Sequence, residues 1–140
     1  MDSSLTDIIV ELHVPNFDTV KNFYAKLGFE VVWEKEPHLK KGYLVMKRGK
    51  SVLAFFCGND HVYDHTYFKK FPRNTLRGYG VEIAIPTEDI ENLFSAVKNL
   101  LPNSIVESLV LQSWGKKDFR IVDPFGYYLR FTEPINILSK

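Results

Sequence analysis

The sequence contains a single cysteine, Cys57, in 140 residues. A lone thiol closes no intrachain disulfide, and neither a CxxC pair nor a Cys/His/Asn signature surrounds it. A disulfide scaffold is excluded, and a reducing, cytoplasmic setting fits. An excess of charge is lacking too: 18 Lys and Arg face 17 Asp and Glu, for a formal net charge of +1. Strong attraction to nucleic acid or to an anionic membrane surface is therefore not expected. Long apolar runs are absent, since nothing approaches the ~18 residues of a membrane span. Met1 to Asp7 has neither the basic nor the apolar stretch of a signal peptide. The expectation is a soluble, unexported protein. What the chain does have is apolar bulk, with 45% hydrophobic and 14% aromatic residues, enough for a sizeable core at single-domain length.

An internal repeat organises the chain. An offset of 71 residues lays Val10-Glu11-Leu12-His13-Val14-Pro15 onto Val81-Glu82-Ile83-Ala84-Ile85-Pro86, then Asp18 onto Asp89, Phe23 onto Phe94 and Ala25 onto Ala96. Each copy opens with a strand ending at proline, followed by Asn16 or Thr87, whose side-chain oxygen can cap a helix by accepting from an unpaired N–H. The first helix spans about Phe17 to Leu27, with Val20, Phe23, Tyr24 and Leu27 on one stripe and Gly28 as its stop. Strands are predicted at 29–36, 43–47 and 51–57, the last two joined by Arg48-Gly49-Lys50. The second helix, about Glu88 to Leu101, is followed by strands at 105–111, 119–122 and 127–132. The last pair turns at Asp123-Pro124-Phe125-Gly126. The pattern is two βαβββ modules, about 7–57 and 80–134, in one domain of 1–140, linked by a connector over 58–79 with room for one helical turn.

Period-two alternation divides each strand between a helix-facing and an opposite side. Ile8, Val10, Leu12 and Val14 oppose Ile9, Glu11 and His13; Val81, Ile83 and Ile85 oppose Gly80, Glu82 and Ala84; Tyr127, Leu129 and Phe131 oppose Tyr128, Arg130 and Thr132. Glu11, Glu82 and Arg130 thus fall on the sides away from the helices. They form either a ligand site or an internal ion-pair network holding the modules together. His61 and His65, four apart in the connector, match the spacing of metal-binding histidines on a helix, but no HExxH motif accompanies them, and exposed loop histidines are the simpler reading.

The run Asn22-Phe23-Tyr24-Ala25-Lys26-Leu27-Gly28-Phe29, followed by Asp123-Pro124-Phe125-Gly126-Tyr127-Tyr128-Leu129-Arg130-Phe131-Thr132-Glu133-Pro134, resembles the vicinal oxygen chelate superfamily. That superfamily includes glyoxalase I, extradiol dioxygenases, fosfomycin-resistance enzymes and bleomycin-resistance proteins, and the resemblance covers about Asp7 to Pro134. It implies an α+β fold in which two βαβββ modules form curled mixed sheets around a cleft. The superfamily's metal ligands would fall at Ile9, Ala54, Gly80 and Arg130, none of which offers a suitable lone pair. No metal and no other cofactor is expected.

Within the superfamily the chain looks like the bleomycin-resistance proteins, through Phe17 to Phe29, Lys47-Arg48-Gly49, Leu53-Ala54-Phe55-Phe56 and the tryptophan loop Gln112-Ser113-Trp114-Gly115. The resemblance implies a homodimer that sequesters a glycopeptide drug, or a similar aromatic compound, without transforming it. Trp33, Tyr43, Phe56 and Trp114 would stack on the ligand, and Glu11, Glu82, Tyr128 and Arg130 would supply polar contacts. Two features depart from that pattern: a near-neutral charge with a basic connector carrying Lys69, Lys70, Arg73 and Arg77, and a Glu34 to Lys41 run longer than the corresponding turn in the family's short members. The competing expectation is a glyoxalase-like lyase or isomerase, or a dioxygenase, with Glu11 or Glu82 as general base and Arg130 stabilising an oxyanion.

Overall fold

The computed structural model describes residues 8–38, 41–57 and 61–139. Two compact units divide the chain, Met1–Tyr24 with Gly28–Thr75, and Ala25–Leu27 with Leu76–Lys140. The first unit runs β1 (Glu11–Val14), α1 (Phe17–Lys26), β2 (Glu30–His38), β3 (Lys41–Arg48) and β4 (Ser51–Cys57), then α2 (His61–Asp64) and a 3-10 turn at Phe68–Lys70. Its four strands form one open sheet in the order β1-β4-β3-β2, with β1 parallel to β4 and the other neighbours antiparallel. The second unit repeats the plan with β5 (Glu82–Pro86), α3 (Ile90–Leu100), β6 (Ile105–Leu111), β7 (Lys117–Val122) and β8 (Tyr128–Thr132), in the order β5-β8-β7-β6. This is the α+β architecture of two βαβββ modules that the repeat predicts.

Alternation sets which side of each sheet is dry. In the first unit Leu12, Val14, Leu44, Met46, Leu53 and Phe55 are buried, as are Val20, Phe23 and Tyr24 of α1. Tyr24 sits edge-on to Phe55 at 5.1 Å and to Phe29 at 5.6 Å, which fixes the helix over the sheet by aromatic packing. In the second unit Ile90, Leu93 and Val97 of α3 are buried with Ile85, Phe119, Ile121, Leu129 and Phe131, and Phe94 lies 5.1 Å from Phe119.

Caps and ends show where local sequence rules held. Asn16 Oδ1 accepts from the Thr19 N–H at 2.8 Å, as a helix cap should, and Gly28 at φ +90° ends the helix. Thr87 does not play the matching role. The second helix begins later, at Ile90 after Asp89, and the buried Thr87 hydroxyl donates instead to the Ile85 carbonyl at 3.1 Å. The first strand is shorter than alternation suggests. Its ladder with β4 starts at Glu11 opposite Ala54, so Ile8 and Val10 are exposed beyond it, and Val81 is likewise exposed ahead of β5. The connector holds more order than one turn, with both α2 and the 3-10 turn.

Candidate functional site

Each sheet has one side away from its helix, and the two sides differ in chemistry. In the first unit the register aligns Trp33, Val45, Ala54 and Glu11 in one row and Lys35, Tyr43, Phe56 and His13 in the next. Trp33 reaches this side because β2 carries a bulge. Val31 pairs with Met46 but Trp33 with Val45, which leaves Val32 as an extra residue and reverses the phase from Trp33 to Lys35, before a second shift ahead of His38. The Trp33 ring, half exposed, stacks on Tyr43 with centroids 5.4 Å apart and planes 16° from parallel. The Tyr43 phenol donates to Glu11; burial first, then that hydrogen bond and the Glu11 charge, pushes its pKa up to about 12. His13 packs 5.3 Å from Phe56 and 5.6 Å from Phe68. The sequence-predicted Glu11, Trp33, Tyr43 and Phe56 are therefore assembled on one surface.

In the second unit the corresponding rows are Glu82, Tyr128 and Val122, then Ala84, Arg130, Arg120 and Glu107, then Thr132, Asp118 and Val110. Arg120 organises the surface. Its Nε donates to Glu82 at 2.9 Å and its Nη1 to Glu107, and these partners, Glu82 first, hold the guanidinium pKa above its ordinary value against the cost of burial. Arg130 stands farther off, with Nε 3.8 Å from Glu82 and Nη1 3.9 Å from Asp118. Asp118 is fully buried, and its Oδ1 accepts from Gln112 Nε2 at 2.7 Å. Burial raises the Tyr128 phenol above its usual range while the Arg120 charge opposes that shift.

A groove of about 380 Å³ adjoins the Glu82–Tyr128 row, walled by Leu76–Glu82 on one side and by Val122, Gly126 and Tyr128 on the other. The close approach of these walls depends on Gly78. At φ +72° its position for a Cβ lies 2.6 Å from the Tyr127 ring, so any side chain there would collide. Trp114 lies at the other end of β7, half exposed on the turn from Gln112 to Lys116. That turn is closed by Gln112 N–H to Lys116 O at 2.9 Å and Gly115 N–H to Gln112 O at 3.0 Å. Among the second unit's predicted residues, the structure thus brings Glu82, Tyr128 and Arg130 together and leaves Trp114 at a separate edge, on a turn whose Gln112 bonds Asp118.

Sequence reasoning missed Glu107, Asp118, Arg120 and the 76–81 wall. Arg120 was legible, lying between Phe119 and Ile121 in strict alternation. Glu107 was not, because Val106 is an extra residue between the pairs Ile105–Ile121 and Glu107–Arg120. Of the connector histidines, His65 follows α2 and does not lie within it, and its Nδ1 accepts from the Tyr67 N–H at 3.0 Å. The His61 side chain lies outside the described residues.

The ladders also revise which residues correspond between the modules. Glu11 faces Ala54 and Glu82 faces Tyr128, so the counterpart of Ala54 is Tyr128 and that of Arg130 is Phe56. Ile9 and Gly80 precede their strands, Ala54 is a methyl and Phe56 a hydrocarbon ring, while Arg130 carries a fixed positive charge beside two carboxylates. This donor set does not fit a divalent cation. Among the described residues, no group of three or more His, Cys, Asp or Glu is placed to hold one.

The paired modules match known proteins. The profile of the Glyoxalase/Bleomycin resistance protein/Dioxygenase superfamily covers residues 8–131, and the chain belongs to that superfamily. Its fold is similar to that of a bleomycin-binding protein crystallised with bleomycin, at 20% identity over 94% of this chain and 100% of that one, with a TM-score of 0.62. A bleomycin resistance determinant encoded on the transposon Tn5 is similar at 21% identity, 94% and 100% coverage and a TM-score of 0.63. A glyoxalase family protein from Enterococcus faecalis is 25% identical over 94% of this chain and 98% of that one, with a TM-score of 0.61. No curated protein matches the chain by sequence. No described helix is long and apolar enough to cross a membrane.

Proposed function

We propose that this protein is a metal-independent, homodimeric small-molecule binder that sequesters a flat aromatic compound, such as a bleomycin-like glycopeptide, in a reducing compartment, with its two modules forming one domain. The observation that carries this reading is the half-exposed Trp33 stacked on Tyr43 beside Glu11, a hydrophobic shelf with a carboxylate at its rim. An exposed indole held flat by a second ring costs little further ordering when a planar ligand covers it, and each such ring pair contributes about 1 kcal/mol beyond area burial. The bleomycin-binding protein and the Tn5 determinant, similar in fold, make a glycopeptide the first compound to test. The enzyme reading gains no specific observation.

Titration with metal-free bleomycin, its copper complex and unrelated planar aromatics, followed by tryptophan fluorescence, tests the proposal. Saturation near one ligand per chain is the expected result. Trp33→Ala should weaken binding by about 1–3 kcal/mol, the loss expected for a buried aromatic anchor, with the melting temperature nearly unchanged. Absence of binding by every compound, or unimpaired binding by Trp33→Ala, refutes the assignment.

A further inference from the structure

Two guanidiniums stand directly opposite each other on the helix-free side of the second sheet, Arg120 paired with Arg130 across β7 and β8. Like charges in that position repel, so each needs compensation. Arg120 has it: Glu82 and Glu107 take its hydrogens, and its side chain is 15% exposed. Arg130 does not. Its nearest carboxylate oxygens, on Glu82 and Asp118, lie at 3.8 and 3.9 Å, beyond hydrogen-bond distance. Its Nε is buried without a hydrogen-bond partner, and its terminal nitrogens make no hydrogen bond among the described residues. On its other flank its partner on the edge strand is the small, exposed Ala84. One row away lies the groove bounded by Glu82 and Tyr128.

The division of labour is plain: Arg120 holds the network together, while Arg130 is aimed by two carboxylates and keeps its outer N–H groups unspent. We infer that Arg130 is the polar contact for a ligand on the helix-free side of the second sheet and that it takes a neutral oxygen acceptor, the carbonyl of an amide, in preference to a carboxylate. The sign of the local charge decides between the two acceptors. Glu82, Glu107 and Asp118 outnumber Arg120 and Arg130 by three to two, and the Asp118 Oδ2 is buried without a hydrogen-bond partner. An added carboxylate would meet Glu82 and Asp118 at close range, whereas an amide carbonyl meets no such repulsion and its N–H₂ suits a surface rich in acceptors. The inference rests on the reading of the helix-free sides as binding surfaces, and it adds the polar chemistry of the second one.

The test compares 2-naphthamide with 2-naphthoate, one aromatic body carrying the two acceptors. Binding is followed by tryptophan fluorescence, and by the Arg130 Nε–H resonance in ¹⁵N-labelled protein, assigned from its loss in Arg130→Lys. The amide should bind about tenfold more tightly than the carboxylate and shift the Arg130 resonance, and Arg130→Met should weaken amide binding about tenfold, the loss of one hydrogen bond to a charged group. If the amide alters tryptophan fluorescence yet leaves the Arg130 resonance and the Arg130→Met affinity unchanged, or if the carboxylate binds as well as the amide, the inference is wrong while the binding surface stands. If neither probe alters any signal at millimolar concentration, the surface reading falls and the inference falls with it.

Discussion

Tyr43 shows how one residue joins stability to the candidate site. Its phenol is stacked under Trp33 and bonded to Glu11, and an ionised phenolate would lose solvation and face a carboxylate. The folded protein therefore favours the neutral form. An unfolded tyrosine ionises near pH 10 and the folded Tyr43 near 12, so this contribution is whole below about pH 10 and is lost as pH rises through about 12. A loss on the order of 2 kcal/mol is expected over that window, after allowance for partial exposure. Tyr43→Phe has no proton to release, so its melting temperature should fall less steeply above pH 10 than that of the parent. Equal slopes would show that Tyr43 does not keep its proton in the fold.

At the scale of elements, the two modules start from the same pattern and end differently. Asn16 caps α1, whereas the equivalent Thr87 is buried and α3 begins after Asp89 with no side-chain cap. Asn16→Ala should therefore cost about 1 kcal/mol in urea denaturation, while Asp89→Ala should cost less than half as much. Comparable losses in the two variants would contradict the difference in capping. The bulges divide function in the same way. One extra residue at Val32 turns Trp33 to the helix-free side, and one at Val106 sets Glu107 across from Arg120. Each bulge brings a side chain to a surface that unbroken alternation would have sent to the other side.

For the whole molecule, the unpaired strands carry the argument. β2 is the outer strand of its sheet, with Val31, Val32 and Trp33 exposed, and β6 is the outer strand of the other, with Val106, Val110 and Leu111 exposed. Apolar outer strands invite pairing and are normally covered. A two-fold symmetric homodimer is the expected outcome in sedimentation equilibrium at tens of micromolar, and a monomer at that concentration would remove the dimer from the proposed function. Elemental analysis of the same samples should find no stoichiometric divalent metal, since the positions where superfamily ligands would fall lack lone pairs. One tightly held ion per chain would reopen the enzyme reading.

Much of this protein was legible in its residues. The 71-residue repeat, the strand endings at Pro15 and Pro86, the Asn16 cap, the Gly28 stop and the Asp123–Gly126 turn are local signals, each set by what a few neighbouring residues can adopt. Together they determined two βαβββ modules. Alternation likewise placed Glu11, Glu82, Tyr128 and Arg130 on the helix-free sides, because burial of one face leaves only the other for charge. The tertiary structure decided the rest. A bulge has no signature in a run such as Val31-Val32-Trp33, since either phase presents a hydrophobic residue to the core, and only the register with β3 selects one. Which arginine is spent and which is spared depended on distances across three strands, from Glu82 and Glu107 to Arg120, and from Asp118 and Glu82 to Arg130. Those distances arise from pairing between distant segments, and no local preference along the chain encodes them.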